Sequence, residues 1–182
     1  MNTEPSLVRP VATVHGIVGL ATCLSLIVFY AGADSLGAVN DVGNAVFGVL
    51  SFCLAWLTRP PWLLLWVAGV GTMLTIVGTV LVMSETTGFY LAGLWSGFGF
   101  ALIGGWLVGA GSIGRLRRAG LIAGAVMVLG LIGAPGIAMG IDVMETAPAW
   151  TFVAGFGWAG TYLLFPAWSL RLAGQDVTER GS

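Results

Sequence analysis

Asn40, Asp41 and Asn44 form the strongest polar constellation in the chain. Asn44 stands four positions from Asn40 and three from Asp41, so on a helix it shares a face with each. Gly48, one turn further on, leaves a gap beneath them. A carboxylate beside two carboxamides supplies oxygens for a cation, and donors as well as acceptors for a neutral polar solute. The same residues also suit a plainer duty. Asn40 or Asp41 can cap a helix that starts near 42, and Asn44 can bond a neighbouring helix.

Other chemistry-bearing side chains are few. His15 is the chain's one histidine. Placed near an aqueous interface, it is expected to bond a carbonyl or a lipid headgroup, with pH sensing or proton relay as the alternative. Arg115, Arg117 and Arg118 form the densest basic cluster and suit anionic lipid headgroups, although three fall short of the usual four to eight or so. Ser25, Ser51, Ser84, Ser96 and Ser112 lack an evident base, His15 being predicted at the end opposite Ser84 and Ser96. No catalytic residue is assigned and no enzyme is expected.

Absent residue types exclude more. Without lysine there is no Schiff base, Walker lysine or Ser-Lys dyad. One histidine cannot give a haem two axial ligands or build a histidine-rich metal site. Neither a cofactor nor a metal is expected. A formal net charge of −1 offers nucleic acid no basic face. Cys23 and Cys53 fall inside apolar runs and read as small hydrophobes.

The elements that must hold these residues are apolar. The 182 residues are 57% hydrophobic and 8% charged, against about 25% charged in an ordinary soluble domain. An all-α integral membrane protein follows. Uncharged stretches between the charges place helices near 11–30, 42–58, 62–83, 89–112, 119–141 and 149–170. Each has the roughly 17 residues that a hydrocarbon core requires. Continuous apolar character favours helices over a barrel. Arg9 and a run ending in Ala31-Gly32-Ala33 resemble a cleavable leader, but about 20 residues is long for one, and the run is read as the first span.

With six spans, every arginine falls on one side. That side holds seven arginines with Glu4, Asp176 and Glu179, a net of +4; the other holds Asp34, Asp41, Glu85, Asp142 and Glu145, a net of −5. Positive-inside bias puts both termini in the cytoplasm of a cell membrane. The bias toward arginine hints at a prokaryote.

Spacing also suggests three hairpin repeats, 9–59, 60–116 and 117–172. Gly43, Trp56 and Arg59 recur in register as Gly155, Trp168 and Arg171. Gly99 and Arg115 keep the outer spacing, with Ser112 in place of the tryptophan. Parallel repeats of this kind occur in some transporters. Gly93, Gly97, Ala101, Gly105 and Gly109 draw a small-residue ridge along the fourth helix, suited to packing inside the bundle or to a partner. Pro135 and Pro166 are expected to bend the last two helices.

The expected function is passive or facilitated movement of a small neutral or cationic solute. The alternative is a non-catalytic assembly, regulatory or substrate-capturing subunit. Expected partners are the lipid bilayer and another membrane subunit or a second copy, with no nucleic acid.

Overall fold

A computed structural model describes residues 7–33, 35–110 and 116–175. Glu4, Asp34, Ser112, Arg115, Asp176, Glu179 and Arg180 lie outside the described residues. All regular structure among the described residues is helical. The first four helices are α1 (Val8–Tyr30), α2 (Ser35–Thr58), α3 (Trp62–Met83) and α4 (Phe89–Gly109). A fifth rod joins α5 (Arg117–Val128) to α6 (Ala134–Met139), and a sixth joins α7 (Ala149–Ala159) to α8 (Phe165–Ala173). Among the described residues, five helices are long and apolar enough to cross a membrane, the fifth rod among them.

The proline bends have a definite form. A 3-10 turn, Leu129–Gly133, precedes Pro135, and a π turn, Gly160–Leu164, precedes Pro166. A proline removes one i to i−4 bond and pushes on the carbonyl four residues back, so the helix re-pitches just ahead of it. The π turn divides the sixth rod into segments of 11 and 9 residues, each too short alone to span a bilayer.

Several helix limits differ from expectation. α1 begins at Val8 rather than 11, because Pro10 in a first turn costs no backbone bond. α2 begins at Ser35 rather than 42, so Asn40 and Asp41 lie inside the helix and cap nothing. A rule that ends helices at charges cut it short, whereas a carboxylate two turns in is tolerated when it faces a polar pocket. The fifth rod ends at Met139 rather than 141. Gly140 takes the left-handed conformation at φ 63°, and Ile141 bonds back to the Gly136 carbonyl at 3.0 Å.

Each rod packs antiparallel against its sequence neighbour, and the sixth closes onto the first. α2 and α3 are stitched by Thr72 donating to the Gly48 carbonyl at 3.0 Å and Thr79 donating to the Asp41 carbonyl at 2.7 Å. α3 and α4 cross through bare backbone. A Cβ on Gly71 would stand 2.5 Å from the Gly99 carbonyl oxygen, and one on Gly99 equally close to that of Gly71. Without an apolar drive inside lipid, such close approach is what holds helices together.

The two ends of the ring are distinct. Arg9 donates to the Ala173 carbonyl at 3.0 Å, joining the start of α1 to the end of α8. At the other end, Gly88 donates to Asp142 at 2.8 Å, and Phe29 packs on Phe89 with ring centres 4.8 Å apart. Arg59 and Glu85 flank the 22-residue α3 and so lie about 33 Å apart along its axis. Apolar side chains such as Ile17, Leu24, Val46, Trp66, Met73 and Phe156 face outward, while His15, Asn40, Ser51, Thr75 and Ser169 are buried. Polar inside and apolar outside marks a multi-pass helical membrane protein in contact with lipid.

Candidate functional site

Three rods each carry two polar positions seven residues apart, facing the ring's centre: His15 and Thr22 on α1, Asn44 and Ser51 on α2, and Tyr162 and Ser169 on the sixth rod. Seven residues are two turns, about 10.5 Å. The antiparallel arrangement therefore sorts them into two layers, one toward the acidic end and one toward the arginine end.

The acidic-end layer contains the expected constellation. Asn40 and Asn44 are buried, and Asp41 is half-buried. Tyr162 donates to Asn44 Oδ1 at 2.7 Å, Asn44 donates to Asn40 Oδ1 at 3.2 Å, and Asn40 donates to the Thr22 carbonyl at 3.0 Å. This chain runs from the sixth rod through α2 to α1. The π turn presents Tyr162 inward, since one extra residue per turn rotates everything beyond it. Beside the chain is a cavity of about 20 Å³, bounded by Asp41, Asn44, Ser96, Gly97, Phe100 and Tyr162. That is room for one water. Asp41 lines it, and its carboxylate takes no hydrogen bond among the described residues.

Below this lies an aromatic floor. Phe47 packs on Phe100 with ring centres 5.3 Å apart and on Phe165 at 5.8 Å, and Phe100 meets Tyr162 at 6.4 Å. The floor closes the vestibule.

Under the floor is the second layer, and here two expectations are corrected. His15 does not reach an interface, because an α1 that begins at Val8 places it two turns in, fully buried between α2 and α8. Ser51, expected to lack a base, has His15 Nε2 at 3.0 Å from its Oγ. Ser169, which sequence spacing did not single out, lies 2.7 Å from Nδ1. Phe47 and Phe165 enclose the ring, each centre 4.4 Å away.

The distances suggest how the protons are shared. Ser51 also donates to the Phe47 carbonyl at 2.7 Å, and Ser169 contacts the Phe165 carbonyl at 3.0 Å. An uncharged imidazole and two hydroxyls hold three protons for these four contacts. The shorter contacts assign them: Ser169 donates to Nδ1, Nε2–H donates to Ser51, and Ser51 donates to Phe47. Among the described residues no carboxylate joins this knot, unlike the orienting acid of a catalytic triad.

The remaining candidates are placed as follows. Arg117 and Arg118 are exposed at the start of α5. Along the α4 ridge, Gly93 and Gly97 lie under the Trp158 indole, Ala101 is buried, Gly105 faces Val67, and Gly109 faces Leu64. The Gly97 carbonyl also stands 2.7 Å from where a Cβ on Gly130 would be. Along the ridge only Ala101 is fully buried; Gly93, Gly97 and Gly105 are partly buried and Gly109 is exposed. Among the described residues, no group of three or more His, Cys, Asp or Glu is placed to hold a metal ion.

Compared with protein-family models, with curated proteins and with solved structures, the chain matches none.

Proposed function

We propose that the protein is a six-span membrane protein, both termini cytoplasmic, that binds a small neutral or cationic solute at its acidic end and moves it passively through the bundle. One observation carries this reading. A carboxylate without a partner among the described residues, two linked carboxamides and a phenol converge on a cavity inside a ring whose outer surface is apolar. Ionisable groups at such a place are expensive in a membrane and are retained for a purpose. The net charge of the acidic end favours cations over anions at the mouth.

In this reading the conformation is closed. The Phe47, Phe100 and Phe165 floor separates the vestibule from His15, and passage requires the rings and the bent sixth rod to move. An enzyme is not proposed. The serine-histidine knot is sealed by phenyl rings, has no acid beside it among the described residues, and has both ring nitrogens engaged.

The test is flux into proteoliposomes. Purified protein should speed entry of radiolabelled methylammonium and glycerol above protein-free vesicles. Asp41→Asn should lower methylammonium flux about tenfold or more, the scale of losing a charged hydrogen-bond acceptor, and spare glycerol. Vesicles no more permeable than empty ones, or equal flux in the variant, would overturn the reading.

A further inference from the structure

A second cavity adjoins the vestibule. It measures about 70 Å³ and is bounded by Tyr90, Leu94, Met144, Phe152, Ala154 and Gly155. Gly93, Gly97 and Trp158 line both cavities. The Trp158 indole is therefore the partition. Its ring atoms stand 3.6 and 3.3 Å from where Cβ atoms on Gly93 and Gly97 would be. No hydrogen bond among the described residues pins the indole N–H.

The two chambers differ in chemistry. The vestibule holds Asp41, Asn40, Asn44 and Tyr162. The neighbour is mostly apolar, walled by leucine, methionine, phenylalanine, alanine and the Trp158 indole and by bare glycine backbone, with Tyr90 and Thr151 as its polar members. Phe152 and Met144 are 48% and 42% exposed, on the outward apolar surface of the ring. Tyr90 donates to Thr151 at 2.9 Å, bridging α4 and α7 at the acidic end. The Gly155 backbone opens onto free space, with no neighbouring atom within 4 Å of where a Cβ would stand.

We propose that the ligand is an amphiphile, a cationic head on a short alkyl tail, reaching the site sideways from the bilayer. Its head sits at Asp41, Asn44 and Tyr162, and its tail passes Trp158 into the apolar chamber. The polar chamber alone has space for about one water, enough for an ammonium head and little more. The adjoining room, behind Trp158, is mostly apolar and lies toward lipid. This inference rests on the vestibule reading above and narrows its solute class.

The test uses the full chain in lipid nanodiscs and equilibrium dialysis of radiolabelled hexylammonium and methylammonium, each corrected for empty discs. Hexylammonium should bind at least about tenfold more tightly, the scale of burying a few methylenes. Gly155→Leu adds bulk at a residue lining the apolar chamber, where a Cβ meets no neighbouring atom within 4 Å. It should cancel that advantage and leave methylammonium binding unchanged, with thermal unfolding confirming the fold. Asp41→Asn should weaken both amines. If hexylammonium gains nothing, or keeps its gain in Gly155→Leu, the lateral chamber is refuted while Asp41-dependent methylammonium binding still supports the vestibule. If neither amine depends on Asp41, the vestibule reading fails and this inference falls with it.

Discussion

His15 touches α2 through Ser51 and the sixth rod through Ser169, so one side chain ties three rods. Its removal leaves both serines satisfied by their own helix carbonyls, which limits the damage. His15→Leu keeps most of the volume and loses two interhelical bonds. Since such bonds average about 0.6 kcal/mol in membranes, a loss of about 1–2 kcal/mol is expected, read by denaturant unfolding in detergent. The chain's single histidine also makes the proton assignment measurable. Nitrogen-15 spectra of labelled protein should give an uncharged ring protonated on Nε2, and protonation on Nδ1 would reverse the donor order. Sequence spacing grouped Asn40, Asp41 and Asn44 because Asn44 lies one helical turn from each. It missed Tyr162 and Ser169 because their partners lie 118 and 154 positions away. The available signal was the recurrence of polar pairs seven apart on three apolar rods.

Helices are held at their crossings by backbone as much as by side chains. Gly71 and Gly99 bring α3 and α4 together at a point where no Cβ fits, whereas Gly155 faces open space. Gly71→Val should therefore destabilise the protein by about 1–3 kcal/mol or more through overpacking. Gly155→Ala should be neutral or stabilising by a few tenths to about 1 kcal/mol. Thermal unfolding of the two variants side by side checks the contrast, and equal effects would contradict it. At this scale the charge gaps in the sequence anticipated an all-helical chain with several apolar rods, five of them long and apolar enough to cross a membrane among the described residues, but misplaced the starts of α1 and α2 and the end of the fifth rod. A hydropathy reading cannot see that Asp41 faces a pocket made by other helices. Pro135 and Pro166 announced bends, but whether each becomes a 3-10 or a π turn depends on the packing of neighbours that the sequence does not display.

The whole molecule is a ring of antiparallel rods with a layered centre: polar vestibule, aromatic floor, buried histidine knot. Its described arginines gather at one end and its described acids at the other, with α3 between Arg59 and Glu85. That charges fall between the apolar rods was legible from the sequence, because the cost of burying charge leaves few alternatives. The layered centre was not, since it forms only when distant rods meet. The proposed mouth at Asp41 and the proposed lateral chamber both depend on the acidic end facing one aqueous layer and the arginine end the other. Labelling with a membrane-impermeant maleimide in intact cells tests this most directly, in protein with Cys23 and Cys53 replaced by alanine. Thr86→Cys, beside Glu85, should react from outside, and Gln175→Cys, beyond Arg171, should react only after the membrane is opened. Reaction of both from the same side would contradict the arrangement.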